Sequence, residues 1–169
     1  MQRNIIVFMR EITYPYILHR IAKDISTDRT KGMHKNYKDK DYYVGDKTKQ
    51  YNVQGVLAEL IAQHYFTAIG DDFKALSILG TEPEVEADIF IGERKIDVKY
   101  IPHYAKYLMV NYNSHTNPKK VVTEYMFVQL LDRISPSTAS ARIWFNTHKE
   151  VDNWNIEKQT NTKVFCKEL

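Results

Sequence analysis

The pattern of apolar and polar positions predicts a chain that mixes helices with strands. Its clearest helix covers residues 55–69, a stretch with helical length and composition. From position 56 onward only four of these residues are polar: Glu59, Gln63, His64 and Thr67. A helix that is apolar on nearly all sides is usually buried. Glu59 is the only formal charge in it, and glutamate is seldom fully buried unless it is paired or bound to a metal. The alternative is that Glu59 caps the helix or faces a solvent gap.

Residues 87–100 show the alternation of two short strands joined by a turn. If residues 93 and 94 form the turn, Asp88 lies opposite Lys99, and both share a face with Asp97. The other face is apolar, and burying it fixes the pairing register. That face consists of Ile89, Ile91, Ile96 and Val98. The alternative is an ordinary amphipathic hairpin whose charged face is solvated.

The rest of the chain predicts further elements around these two. An N-terminal helix is expected over residues 12–25, with Pro15 in its first turn. Strands are expected over residues 73–79, 107–113, 121–131 and 141–146, with polar loops over 114–120 and 135–140. Glu150 stands three residues after Thr147, which is the capping-box spacing of a short helix reaching residue 154. This mixture predicts an α/β (α+β mixed) fold in a single domain spanning residues 1–169.

Composition narrows the class of protein. A chain of 169 residues with 43% apolar and 27% charged residues is typical of one globular domain. No apolar run approaches the roughly 18 residues of a membrane span, so no membrane partner is expected. The single Cys166 excludes an internal disulfide and a cysteine-based zinc cage. A cytoplasmic location is the simplest expectation.

The net charge of +3 is concentrated in residues 29–49. There, seven Lys or Arg stand against three Asp, with tyrosines between them. The segment has no apolar periodicity, which predicts a long basic loop that could contact nucleic acid. The candidate contacts are Lys31, Lys35, Lys38, Lys40, Tyr42, Lys47 and Lys49. The alternative is a mobile, solvated surface loop.

The order of the acidic residues resembles the PD-(D/E)xK nuclease superfamily. A helix acid (Glu59) is followed by a strand acid (Asp88) and then by Asp97-x-Lys99. The resemblance covers about residues 51–131, and Ala87 stands where the family name has proline. It implies a restriction-endonuclease-like core, a central mixed sheet flanked by helices, here with additional C-terminal strands. The family has a helix soon after the D-x-K strand, whereas the residues after Lys99 look extended.

The resemblance also implies a function and a cofactor. It implies a Mg²⁺-dependent DNA endonuclease of phage, mobile-element, restriction or repair origin, in which Mn²⁺ would substitute for Mg²⁺. Asp88, Asp97 and the Val98 carbonyl would bind the ion, and Lys99 would orient the attacking water. Glu59 would hold a metal-bound water or a second ion. Glu86 could be an additional ligand, or could replace Asp88 if the register differs.

Several alternatives stay open at this point. One is a structure-selective resolvase that acts on branched DNA as a homodimer, and another is a non-catalytic DNA-binding or assembly protein that keeps the fold. His103 and His115 follow the hairpin and could approach a phosphate, although lone histidines more often serve packing. The remaining histidines, His19, His34, His64 and His148, show no metal-ligand spacing with one another.

Overall fold

The computed structural model describes residues 9–36, 46–75, 87–159 and 162–169. In chain order the elements are β1 (Arg10–Pro15), α1 (Leu18–Asn36), α2 (Asp46–Ala68), β2 (Lys74–Ala75), β3 (Ile89–Ile91), β4 (Arg94–Ile101), β5 (Tyr107–Asn111), α3 (Tyr112–His115), β6 (Glu124–Ser135), β7 (Thr138–Thr147), α4 (His148–Val151), β8 (Asn155–Gln159) and β9 (Thr162–Glu168). This confirms a mixed α+β chain. Within these described ranges, no helix is both long and apolar enough to cross a membrane.

The strands form a six-stranded sheet and a three-stranded sheet. The larger sheet has the order β1-β7-β6-β4-β3-β2, and the smaller has the order β5-β9-β8. The larger sheet is mixed, because β4 pairs with β6 in parallel while all other neighbouring strands of this sheet pair antiparallel. A parallel pair needs a crossover connection. The chain between β4 and β6 supplies it and contributes β5 and α3 on the way.

Helix α2 covers one face of the six-stranded sheet, as its apolar composition predicted. Val56, Ile61 and Phe66 are almost fully buried against Ile96 and Met126 of the sheet. The helix ends at Ala68 and is followed by Gly70, whose φ of +79° is a conformation that glycine adopts without a steric cost. There the Asp71 amide donates to the Phe66 carbonyl (3.0 Å), which is the backbone closure of a Schellman motif.

A second apolar cluster covers the opposite face. Tyr125 and Phe127 of β6 pack there with Leu108, Val110 and Phe165 of the three-stranded sheet. The core therefore has three layers, with α2 on one side of the six-stranded sheet and the small sheet on the other. Side chains that alternate along β4 and β6 consequently enter two different cores.

The predicted N-terminal helix over residues 12–25 is wrong in its first half. Residues 10–15 form β1, which pairs antiparallel with β7, and α1 begins only at Leu18. Ile12 and Tyr14 turn inward from this strand, and Tyr14 is only 2% exposed. Pro15 is tolerated because β1 is an edge strand, where a missing N–H leaves no ladder bond unmade.

The predicted basic loop over residues 29–49 is also wrong at both ends. Helix α1 continues through Asn36 and α2 begins at Asp46. Lysine has a good intrinsic helix propensity, so a helix can form here without the apolar repeat of an amphipathic helix. Lys31, Lys35, Lys47 and Lys49 thus belong to helices by their backbone, and their side chains lie outside the described residues. Lys38, Lys40 and Tyr42 lie outside the described residues altogether.

The C-terminal half follows the predicted pattern with shifted boundaries. Strands β6 and β7 are longer than expected and meet in a tight turn at residues 136–137, so the predicted loop over 135–140 is mostly strand. The capping box is confirmed, since the Thr147 hydroxyl accepts from the Glu150 amide and the Glu150 carboxylate accepts from the Thr147 amide. Only the two-residue β2 is seen of the strand expected over 73–79, and Glu86 falls in the undescribed stretch 76–86.

Candidate functional site

The turn between β3 and β4 sets the register of the charged hairpin. Ile91 pairs with Arg94 and Ile89 with Ile96, so Gly92 and Glu93 form the turn rather than residues 93 and 94. The reason is the φ of +55° at Gly92, because a two-residue hairpin turn favours a residue that accepts positive φ. Asp88 consequently does not lie opposite Lys99. The pairing moves by two residues, which preserves the predicted faces, and the four apolar residues still pack toward α2.

Asp88 lies at a bend just before β3 rather than within the strand. Ala87 packs into the second cluster and Ile89 into the first, so the regular alternation breaks between them. The Asp88 amide donates to the Ile96 carbonyl (2.9 Å). Its carboxylate Oδ2 accepts from the Val98 amide at 2.6 Å. The bend therefore directs this carboxylate along the sheet toward the middle of β4.

Asp97 is a buried carboxylate held between two ammonium groups. It is 4% exposed and lies beside Tyr125 in the parallel β4–β6 ladder. Its Oδ2 contacts Lys99, and its Oδ1 accepts from Lys120 Nζ at 2.9 Å. Lys120 also donates to the Ser114 hydroxyl of α3 at 3.1 Å. A buried charge needs such partners, and here both come from lysines.

The two carboxylates differ in how readily they ionise. Burial, and then the nearby Asp97 carboxylate, raise the pKa of Asp88 to about 6. Burial also acts to raise the pKa of Asp97, but Lys99 and Lys120 outweigh it and the net pKa is lowered. Burial acts to lower the pKa of Lys99, but the negative charges of Asp97, Asp88 and Glu59 outweigh it and the net pKa is raised. Asp88 is therefore the group whose negative charge lacks a sufficient counter-charge.

The structure brings three of the four predicted catalytic residues into one cluster. Asp88, Asp97 and Lys99 lie together where β3 pairs with β4. Glu59 is half-buried on α2, and its charge contributes to the raised pKa of Lys99. Lys120 completes the cluster through its contact with Asp97. Its position in a polar loop gave no signal that it would fold back onto Asp97.

The donor set suits a hard divalent cation. Carboxylate oxygens at Asp88 and Asp97 are the ligands that Mg²⁺ and Mn²⁺ prefer. A cation beside Asp88 would also relieve the carboxylate repulsion that raises its pKa. At Asp97, the lysines supply the counter-charge in this structure, so an ion there would share the carboxylate with them. The residues present therefore fit a cation close to Asp88.

The two histidines that follow the hairpin do not contact these acids. His103 is exposed and packs edge-on against Tyr104. His115 is buried, and its ring nitrogens contact the Tyr125 hydroxyl (2.8 Å) and Asp152 (2.9 Å). Its neighbours His148 and Asp152 form a separate group that the sequence spacing did not reveal.

We expect Asp88→Asn to stabilise the protein without added metal at neutral pH. Because the folded-state pKa of Asp88 lies above its unfolded value, its favourable contribution exists in full below about pH 4 and is lost as pH rises through about 6. The asparagine amide oxygen can still accept from Val98. Urea unfolding at about pH 4 and about pH 7.5 should show that the variant gains on the parent only at the higher pH. An equal difference at both values would contradict the raised pKa.

In comparisons with known proteins, no protein-family model, curated protein or solved structure matches this chain. The site where β3 pairs with β4 combines the half-buried carboxylate of Asp88, the buried carboxylate of Asp97 and the ammonium group of Lys99. Such groups can bind a cation and a phosphate together.

Proposed function

We propose that this chain is a Mg²⁺-dependent endonuclease that hydrolyses phosphodiester bonds in DNA. The observation that carries the proposal is the cluster of Asp88, Asp97 and Lys99, in which burial and the Asp97 charge raise the pKa of Asp88. A protein rarely gathers such charges in its interior without a use for them. The order α2, β2, β3, β4, α3, β6 and the mixed sheet also support a restriction-endonuclease-like core. In place of a long helix after β4, this chain has β5 and the short α3.

Each residue has a role in the proposed reaction. Asp88, Asp97 and the Val98 carbonyl would hold Mg²⁺, or Mn²⁺ in its place. When bound, the ion supplies positive charge beside the phosphate and makes a coordinated water more acidic. Lys99 would orient the attacking water and stabilise negative charge on the phosphate. Glu59 would hold a water molecule at the ion, and Lys120 would position the Asp97 carboxylate.

The proposed partner is DNA in the cytoplasm. The basic residues of segment 29–49 would contact phosphates, because lysine supplies charge without sequence preference. Within this segment the backbone is helical at residues 29–36 and 46–49. Cutting both strands with one site calls for two copies of the chain, so we propose a homodimer on duplex DNA.

The test is a cleavage assay on supercoiled plasmid with Mg²⁺, Mn²⁺ or a chelator. We expect nicking by the parent with either ion and none with the chelator. Lys99→Met should lower the rate about 100- to 1,000-fold, because it removes charge stabilisation at the phosphate. Lys158→Met is the matched control, since Lys158 is an exposed strand lysine of the small sheet.

The substrates used in the same assay separate the alternatives. Cleavage restricted to four-way junctions would favour a dimeric resolvase over an endonuclease for linear DNA. A parent protein that is folded but inert on every DNA and RNA form would refute the catalytic proposal. Binding to DNA without cleavage would then indicate a DNA-binding or assembly protein.

A further inference from the structure

A second cluster of potential metal ligands lies beside the Tyr125 hydroxyl and includes neither Asp88 nor Asp97. His115 ends α3, whereas His148 begins α4 and Asp152 follows that helix. The His115 Nε2 is 2.9 Å from Asp152 Oδ1, and the His148 Nδ1 is 3.8 Å from Asp152 Oδ2. One potential ligand atom from each of the three residues lies within 4.8 Å of the other two. The potential ligand atoms of two imidazoles and a carboxylate thus lie close together.

Each imidazole also has a hydrogen-bond partner on its other nitrogen. The His148 Nε2 is 3.1 Å from the His115 carbonyl oxygen. A carbonyl only accepts, so this nitrogen carries the proton and a neutral His148 presents its Nδ1 lone pair to Asp152. The His115 Nε2 is 2.9 Å from an Asp152 oxygen that only accepts, so without an ion this nitrogen donates to Asp152. The His115 Nδ1 is 2.8 Å from the Tyr125 hydroxyl, which can accept as well as donate, so His115 can lose the Nε2 proton, carry one on Nδ1 and offer Nε2 to an ion. Metal-binding histidines typically have such partners on the other nitrogen.

The contact between His148 and Asp152 would be more favourable with a cation between them. The His148 Nδ1 lone pair faces a carboxylate oxygen, and neither of these two atoms supplies a proton to the other when the imidazole is neutral. The His115 and His148 rings stack with centroids 3.8 Å apart and planes 12° apart. Because the ring planes are nearly parallel and each lone pair lies in its own ring plane, one ring has to turn before both nitrogens can bind one ion, so ion binding would break this stack.

From this geometry we propose that His115, His148 and Asp152 bind a divalent transition-metal ion, with Zn²⁺ the best fit. Imidazole nitrogens favour Zn²⁺, whereas Mg²⁺ takes oxygen ligands. This site would therefore bind a different metal from the site proposed at Asp88 and Asp97. The His115 side chain is 1% exposed, whereas those of His148 and Asp152 are 33% and 54% exposed. The cluster is therefore anchored in the core and open to solvent, which leaves a coordination position for water.

The surrounding fold holds the ligands in place. Helix α4 has its capping box, and the His148 amide donates to the Thr123 carbonyl at 2.8 Å. Helix α3 is capped by the Asn111 side chain. An ion would tie α3 to α4, and α3 also carries the Ser114 hydroxyl that accepts from Lys120. The proposed ion would thus help to hold Lys120 in place. Binding of the ion does not depend on the proposed nuclease activity.

Calorimetric titration of the metal-stripped full chain with Zn²⁺, in the presence of excess Mg²⁺, tests this site. We expect one Zn²⁺ per chain and a melting temperature raised by about 5–10 °C at 100 times the Kd. Co²⁺ should bind in its place and show the visible absorption of a four-coordinate nitrogen and oxygen site. His148→Gln and Asp152→Asn should each weaken Zn²⁺ binding about 100-fold. His148→Gln retains an amide that can donate to the His115 carbonyl, so the fold is preserved.

The matched control is His103→Gln, which removes an exposed histidine that is not one of the three proposed ligands. It should bind Zn²⁺ as the parent does. An unchanged Kd in His148→Gln and Asp152→Asn would overturn the proposal, as would the absence of Zn²⁺ binding by the folded parent. Competition by millimolar Mg²⁺ for the same site would also overturn it, because an oxygen-ligand site would then account for the binding. None of these results depends on whether the chain cleaves DNA.

Discussion

Replacing Asp97 with asparagine is expected to lower Mg²⁺-dependent plasmid cleavage by at least about 100-fold. The substitution keeps the size of the side chain and removes the charge that the proposed metal site requires. Asp97 is also the residue that faces both Lys99 and Lys120. Its loss would therefore disturb the placement of Lys99 as well as the binding of the ion. Initial nicking rates at several Mg²⁺ concentrations measure the effect.

Stability has to be separated from activity in this variant. Removing Asp97 leaves two ammonium groups without their carboxylate, which costs about 1–3 kcal/mol, since lysine side chains can still extend toward water. Circular dichroism at the assay temperature should show a folded variant. Asp132→Asn, an exposed aspartate on β6, is the control and should cut like the parent. A folded Asp97→Asn protein that retains the parent's rate would refute the proposed site.

Replacing Phe127 with alanine is expected to destabilise the fold by about 3–5 kcal/mol. Phe127 is fully buried on β6, where it pairs with Lys99 across the ladder and packs in the second cluster. Truncation would leave a cavity between the six-stranded sheet and the small sheet. Against a typical total stability of about 5–15 kcal/mol, this loss should be plain in urea unfolding.

Ile134→Ala is the matched control on the same strand. Ile134 is 59% exposed, so its truncation should change the unfolding free energy by no more than about 0.5 kcal/mol. If Phe127→Ala proved equally mild, the small sheet would not cover this face of β6. The environment proposed for Lys99 would then be more solvated than the structure indicates.

Much of the candidate site could be predicted from the sequence because it depends on local periodicity. Alternation along residues 94–101 placed Asp97 and Lys99 on one face and Ile96 and Val98 on the other, and both assignments are confirmed. The faces survived an error in the turn, because side-chain direction depends only on odd or even position. The buried helix around Glu59 was equally plain from its apolar composition.

Two of the errors, at Tyr14 and at Asp88, share a physical cause, because long-range pairing or packing overrode local preference. The sequence predicts a helix for the segment with Tyr14, yet pairing with β7 makes it a strand. The basic ends of residues 29–49 form helices that carry no apolar stripe to reveal them. Asp88 left its expected strand position because the chain bends there to place Ala87 and Ile89 in different cores.

The sequence by itself determined the mixed class of the chain and the two faces of the β4 strand, with Asp97 and Lys99 on the same one. Those features follow from the period of a strand or helix and need no distant partner. Only the tertiary structure decided that Lys120 folds onto Asp97 and that His115, His148 and Asp152 meet. The Lys120–Asp97 and His115–Asp152 contacts join residues 23 and 37 positions apart, across loops and sheet layers whose path no local pattern specifies.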